Sequence, residues 1–440
     1  ESSDFQDLEA TIAQANLRHA FSDTLSVNAT LRMLENEREQ AYHEPRGWVD
    51  ANGDGEANVA DGTIRREFRD QFRANDETSF TVDVIKEFEW GSTDHTFLVG
   101  ADYQTVDTEF DYLRARYTAD NVVDLNIFNP NYGETNSSTY NLTDLNRSGS
   151  KATCMGWYVQ DHVRLNDRWS VMLGARFEDF EDEAKSDGYS FSDDHVSPRL
   201  AVSYNVNDDG TLYLNRSESF KPTSLGRQEI VEVDGPLNPE KGVQWEVGWK
   251  QRWMDGRLMT TFAIYDIVKQ DVALRNPNDT GPDDGIPDFI NLGEVTSKGY
   301  EFTLVGDLTA NWTITANYAN NDTRVVEGTG LSNKFGSDMR FVNAPEHQFG
   351  LWTRYDFAWM NSSVALGVDY VSEQRSFSDQ RVKPYNTFDA SWTSAWDRYT
   401  LQINVTNLFD KEYAVSGFIE RTGHFPGAPR EVVARLSYAL

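Results

Sequence analysis

The sequence predicts an all-β chain, and more narrowly a transmembrane antiparallel β-barrel with about seventeen strands. Three observations lead there. Segments of alternating apolar and polar side chains recur, tight turns alternate with long polar loops, and aromatic residues make up 13% of the chain, with 12 Trp and 19 Tyr. A period of two places each face of a strand in a different medium. A tilted strand takes about 9–11 residues to cross the hydrocarbon layer, and aromatic girdles mark its two interfaces. A soluble sandwich, such as a Trp-rich sugar-binding protein, would rarely need so many strands of that length.

The pattern is cleanest between Pro345 and Leu440. Phe388, Ala390, Trp392, Ser394 and Trp396 alternate with Asp389, Ser391 and Thr393, and Leu401, Ile403 and Val405 with Gln402, Asn404 and Thr406. The closing segment sets Val432, Ala434, Leu436, Tyr438 and Leu440 against Val433, Arg435, Ser437 and Ala439.

From the start, a strand is expected from Ala13 to about Phe21, a turn at Ser22-Asp23, and a strand from Leu25 to Met33. A polar loop over 37–63 follows, then a hairpin of 64–90 and 95–110 around Gly91-Ser92-Thr93-Asp94, then the longest loop, 111–150. Loops of that length in a regular structure usually carry function. Further hairpins turn at Asn166-Asp167-Arg168, at Asn207-Asp208-Asp209-Gly210, at Met254-Asp255-Gly256, and near 306–310, 357–361 and 396–398. Asp-Gly between alternating runs is a tight-turn signal. Eight short turns pair sixteen strands and leave 429–440 over. Bacterial barrels have even strand counts, so an odd number of strands is expected to precede Glu1.

Composition narrows the function classes. Mean hydropathy is −0.61 and no apolar run approaches the ~18 residues of a membrane-crossing helix, a test that does not apply to barrels. The net charge of −31 argues against a nucleic-acid partner, because phosphates call for a basic surface. The single Cys154 rules out an internal disulfide and multi-cysteine metal or redox motifs, and is expected near a strand start. The chain opens at Glu1 without a signal peptide, as an exported protein does once its leader is removed.

Three strings resemble a known family. Asn407-Leu408-Phe409-Asp410-Lys411-Glu412-Tyr413, followed by Gly427-Ala428-Pro429-Arg430, resembles the C-terminal signature of TonB-dependent outer-membrane receptors. Leu237-Asn238-Pro239-Glu240-Lys241-Gly242 with Glu246, Gly248 and Lys250, and Gly293-Glu294 with Ser297-Lys298-Gly299 and Glu301, resemble stretches of the ferric-siderophore branch. Together these are specific, although each reads structurally as a loop-to-strand junction, with Glu246 and Lys250 lining a polar interior. The resemblance implies a barrel of the 22-stranded type, of which residues 1–440 are the C-terminal portion, so that five strands precede Glu1. It also implies an N-terminal plug opened by TonB; neither the plug nor a TonB-contacting segment is present in this sequence. The chain departs from the family in ending on Leu440 where an aromatic is usual.

Candidate sites are few. Asp50, Asn52, Asp54, Asn58 and Asp61 place oxygen ligands at loop positions 1, 3, 5, 9 and 12, with Gly55 at 6 and the Glu56 carbonyl at 7, the spacing of a Ca²⁺ loop. Position 12 is Asp where an EF-hand has Glu, as in dockerin-like loops. Asp/Asn/Gly-rich sequences also form plain turns, so both readings stand. A second acidic turn, Asp279 to Asp288, lacks the spacing. Scattered histidines and the absence of HExxH or GxSxG strings predict no enzyme and no required cofactor.

In receptors of this type the plug and the loops above it hold the substrate. Tyr112, Tyr117, Phe128, Tyr132 and Tyr140 are candidates to offer aromatic faces to a chelate, with Arg227 or Arg381 balancing its charge. The competing reading is that these aromatics pack the loop. The function expected is import of a ferric siderophore, with TonB, outer-membrane lipid and lipopolysaccharide as partners. A receptor for cobalamin, haem or an oligosaccharide, a Ca²⁺-dependent adhesion barrel and a plugless channel are the alternatives.

Overall fold

The computed structural model describes residues 3–117, 120–133, 136–223, 225, 237–275, 289–327, 339–358, 361–419 and 423–439. Seventeen long strands follow one another: Phe5–Ser22, Leu25–Trp48, Thr63–Trp90, Thr93–Arg116, Thr143–Arg164, Trp169–Ala184, Ser190–Asn207, Gly210–Lys221, Glu240–Trp253, Leu258–Arg275, Phe289–Thr309, Trp312–Glu327, His347–Phe357, Ser362–Val371, Tyr385–Trp396, Tyr399–Thr406 and Glu431–Tyr438. Each pairs antiparallel with its predecessor and its successor in this series, an up-and-down meander. Leu125–Asn126 extends the sheet beside the third strand and Met339–Arg340 beside the twelfth. Two small hairpins, Gln374–Arg375 with Arg381–Val382 and Ala414–Gly417 with His424–Pro426, stand apart in loops. Among the described residues the first and last strands do not pair, so the sheet has two free edges.

Side-chain alternation gives the sheet two unlike faces. On one, Val99, Val159, Leu173, Leu200, Leu214, Val247, Ile264 and Leu366 are exposed and apolar. Trp90, Trp169, Trp253, Trp312 and Trp396 stand on this face at the short-turn ends of their strands. A second row, Phe80, Tyr103, Trp157, Phe177, Trp245, Tyr300 and Tyr370, runs about eight residues farther along, with Phe80 opposite Tyr103 and Trp157 opposite Phe177. Eight residues of tilted strand span roughly 20 Å, close to the ~25 Å apolar band of outer-membrane barrels. An exposed apolar band between aromatic rows is the surface expected of a membrane-spanning sheet.

The strands near the N-terminus outrun that band. Leu25–Trp48 has 24 residues, Thr63–Trp90 has 28 and Thr93–Arg116 has 24. The loops expected at 37–63 and 111–150 are therefore shorter, 49–62 and 117–142, and the first strand begins at Phe5 rather than Ala13. Beyond the second aromatic row both faces of these strands meet water or protein, so the apolar alternation stops while the backbone ladder continues. Residues 35–40, Glu-Asn-Glu-Arg-Glu-Gln, look like a loop by composition yet pair with 71–76 in unbroken register.

Candidate functional site

The face opposite the lipid band forms the inner wall, and its polar residues satisfy one another across strands. Tyr158 Oη donates to Asp83 at 2.5 Å, and Arg176 grips Asp102 through both terminal nitrogens at 2.5 and 3.0 Å while its Nε donates to Glu178 at 2.8 Å. A planar guanidinium fits a carboxylate in this two-point manner. Gly156 makes room for it, since a Cβ there would lie 2.2 Å from an Arg176 nitrogen. Cys154 sits mid-strand on this wall rather than near a strand start, its Sγ 3.2 Å from Glu178 Oε1. Tyr213 donates to Glu246 at 2.6 Å and Lys250 Nζ lies 5.2 Å from the Tyr213 ring, so Glu246 and Lys250 do line the interior.

Where the long strands leave the band, the inner wall carries a buried ion network. Glu67 is wholly buried; it forms an ion pair with Arg46, Nε to Oε2 2.9 Å, and accepts a hydrogen bond from Arg69 Nε at 2.7 Å, while Arg69 also reaches Glu44 at 2.8 Å. The Arg69 guanidinium lies 5.5 Å from the Tyr112 ring. Tyr112 thus belongs to the strand wall and not to a loop. Glu44, Arg46 and Tyr112 lie in stretches expected as loops, whereas Glu67 and Arg69 lie in the strand expected from 64. The signal that would have found it is the period-two sorting of 67–73, where Phe68 and Phe72 share one face and Glu67, Arg69, Gln71 and Arg73 the other.

The long loop folds outward. Tyr140 is buried with Ala41, Phe68, Ala115 and Val122 in a small core on the outer face of the strand extensions. Its hydroxyl is 2.8 Å from His43 Nε2, and His43 Nδ1 is 2.6 Å from Asp4. Tyr140 therefore packs the loop, as the competing reading held. Tyr117 has φ of +55° and lies beneath the Arg65 guanidinium at 5.3 Å. Phe128 is exposed, with its ring against Gly62. Tyr132 is 65% exposed and presents an open ring. Arg381 pairs with Glu373 at 2.6 Å, so its charge is already balanced. Arg227, the Asp279–Asp288 turn and Leu440 lie outside the described residues. Among the described residues the predicted contacts do not come together at one point.

The loop 50–61 is held by its own side chains. Asp50 accepts from Gly53 N–H at 2.7 Å and Gly55 N–H at 2.9 Å, Asn52 Oδ1 from Asp54 N–H at 2.8 Å, and Asp54 Oδ1 from Glu56 N–H at 2.8 Å. Asn58 caps the single turn Val59–Asp61 and donates through Nδ2 to the Glu56 carbonyl at 3.0 Å. Asp61 accepts from Asn58 N–H at 2.9 Å with one oxygen and from Ala51 and Asn52 N–H at 3.1 Å with the other. These donors, Asn58 first, hold the Asp61 carboxyl below the usual range. Among the described residues no group of three or more His, Cys, Asp or Glu side chains is placed to hold a metal ion. In this arrangement the carboxylates accept from the backbone of their own loop.

The family strings have structural work. Asn407, at φ +47°, donates to the Lys411 carbonyl at 2.9 Å and the Ala428 carbonyl at 3.0 Å and accepts from Lys411 N–H at 2.7 Å. Asp410 accepts from Arg430 N–H at 2.9 Å, and the Tyr413 ring covers Gly427, where a Cβ would lie 2.2 Å from it. The string ties the exit of the sixteenth strand to the entry of the last. Asn238 exchanges hydrogen bonds with Asn291 at 2.7 and 3.0 Å, while Glu240 forms an ion pair with Lys269 at 2.5 Å.

Comparison with known proteins agrees with this reading. Residues 1–408 match the family described as TonB dependent receptor-like, beta-barrel. The chain is 27% identical to the metal-pseudopaline receptor CntO of Pseudomonas aeruginosa, covering 96% of this chain and 58% of that protein. It is 28% identical to the ferrichrome outer membrane transporter/phage receptor of Escherichia coli K12, covering 96% and 57% respectively. The chain thus spans under three-fifths of the length of these relatives. In structure it resembles the ferric-catecholate import receptor Fiu of E. coli K12 in its closed form, with a TM-score of 0.85 at 19% identity over 99% of this chain and 65% of that one, a likeness of fold. The lipid-facing band, the hydrogen-bonded inner wall and the match over most of its length place the chain in the TonB-dependent receptor β-barrel family of the outer membrane.

Proposed function

We propose that this chain is the barrel wall of a receptor that binds a ferric siderophore and passes it inward when TonB opens a plug. The observation that carries the reading is the inner wall: within a lipid-facing band, its polar groups pair with one another across strands, the lining expected of a polar passage. The relatives, named as receptors and transporters of metal chelates, support it. Transport by this route is binding and gating, without covalent chemistry. The two free edges and the greater length of the relatives fit completion of the barrel by further strands. Lipid between the aromatic rows and lipopolysaccharide above them are the partners such a surface suits.

Equilibrium binding to the full-length protein from outer membranes tests this. Saturable quenching of tryptophan fluorescence by a ferric siderophore, and not by haem, cobalamin or an oligosaccharide, is expected. Saturation by one of those three alone overturns the reading. Exposed Tyr132 remains a proposed contact: Tyr132→Ala is expected to weaken siderophore binding, whereas Tyr140→Ala would act through the loop core.

The 50–61 loop is proposed as a Ca²⁺ site only in a second arrangement, with Asp61 turned from the backbone toward an ion. Its favouring feature is the ordered Asp50, Asn52 and Asp54 array around Gly53 and Gly55, both at positive φ. Calorimetric titration with Ca²⁺ decides it. Heat that disappears in Asp50→Ala supports the site, and no heat at millimolar Ca²⁺ rejects it.

A further inference from the structure

On the extended inner wall, one stretch carries positive charge that no carboxylate neutralises. Arg38 and Arg73 face each other across the second and third strands, and Phe110 of the fourth strand stands opposite Arg73. The Arg73 guanidinium lies 4.5 Å from the centre of the Phe110 ring. Neither arginine has a carboxylate partner among the described residues, although the chain carries a net charge of −31. Their inner-wall neighbours are neutral: Asn36, Gln40, Asn75, Gln71, Thr108 and Tyr112. The nearby Glu44 and Glu67 are already taken by Arg46 and Arg69.

Two like charges directly opposite on a sheet destabilise it, so their persistence here calls for something that gains from them. Arginine presents a fork of N–H donors, and Arg73, seated over the Phe110 ring, stays exposed. Amide side chains above and below add further donors. The place suits an incoming ligand. Phe80 marks the outer aromatic row on the third strand, and the step from there to Arg73 is about 23 Å along the strand, toward the long loops.

We infer that Arg38, Arg73 and Phe110 form a binding strip for the anionic oxygens of a ferric chelate, so that the receptor favours negatively charged chelates over neutral ones. This rests on the receptor reading above and adds the charge class of its substrate. Catecholate and carboxylate chelates share the required chemistry, anionic oxygens bound to iron. A neutral ferric tris-hydroxamate lacks the net charge.

The test is equilibrium binding to the full-length protein, using a ferric tris-catecholate, a ferric citrate-type carboxylate and a ferric tris-hydroxamate as probes. The wild type is expected to bind an anionic chelate most tightly, and more weakly as salt rises. Arg38→Gln with Arg73→Gln is expected to weaken that binding roughly ten- to hundredfold while leaving the hydroxamate unchanged. Arg38→Lys with Arg73→Lys, which keeps the charge, is expected to restore part of the loss and guards against misfolding of the glutamine variant. The catecholate and carboxylate arms show which anion is preferred. Hydroxamate bound as tightly as either anion, or anion binding unchanged in the glutamine variant, overturns the inference and leaves the receptor reading intact. Binding of none of the three probes overturns both.

Discussion

The same strands behave differently inside and beyond the lipid band. On Trp169–Ala184, Leu173 is 52% exposed between Trp169 and Phe177 and touches little protein on that face. On Thr63–Trp90, beyond the band, outward Phe68 is 2% exposed because a loop has been folded over it. Both are apolar side chains on the outer face. Lipid solvates the first without help, whereas the second sits where water begins and needs a protein cover. The inner face changes in parallel, from paired groups such as Arg176 and Asp102 to the deeply buried Glu67 network. Once strands leave the membrane they need a core of their own, which the long loop supplies.

Substitutions at matched positions sharpen this contrast. The largest effect is expected from Leu173→Arg, which sets a charge near mid-band at a cost of about 2–4 kcal/mol, while Leu173→Ala is expected to do little. Refolding into lipid vesicles measures both, and equal effects of the two would place Leu173 outside the band. Next comes Glu67→Ala, which leaves half-buried Arg46 without its carboxylate and Arg69 with Glu44 alone; up to about 3 kcal/mol is expected from such a loss. Denaturant unfolding, followed by hydrogen exchange on 40–48 and 64–72, would show it concentrated in the extension; uniform destabilisation of all strands would break the comparison.

Tyr140→Phe removes the hydroxyl bonded to His43 while keeping the ring in its core. About 1 kcal/mol is expected, seen as faster proteolysis of 117–142 with the band unaffected. The smallest effect concerns Asp61. Its carboxyl is held below its ordinary value of 3.8 by backbone donors, so its stabilisation of the 50–61 loop is present above that value and is lost as pH falls through the lower, folded one. Exchange of the Ala51, Asn52 and Asn58 amides is therefore expected to quicken below about pH 4, and Asp61→Asn to quicken it at neutral pH. Protection that does not change with pH would remove Asp61 from that role.

Much of the barrel was legible in the sequence because lipid imposes a rule that a single strand obeys. Trp157, Val159 and Leu173 must be apolar whatever their neighbours do, and the seventeen-strand count follows from turns such as Asn207-Asp208-Asp209-Gly210. The extensions were less legible because their rule is not local. Whether Ala41 is core depends on Tyr140, almost a hundred residues on, and Arg38 gains meaning only when register places it beside Arg73. The aromatics of the long loop were visible, but the side of the sheet on which the loop lies was not, and that separates Tyr140, which packs the outer face, from a residue that meets a ligand. The NLFDKEY string illustrates a third case, a legible motif whose role is to join strands.

The central claim is energised import of a ferric chelate, and uptake of radiolabelled iron tests it most directly. Iron-starved cells would be compared with and without this protein, and with and without an uncoupler of the proton-motive force that drives TonB. The account predicts chelate-borne iron uptake that is lost both when the protein is removed and when the uncoupler is added. Uptake that persists without the protein, or that depends on the protein but ignores the uncoupler, would contradict it, the latter outcome marking the barrel as a passive channel.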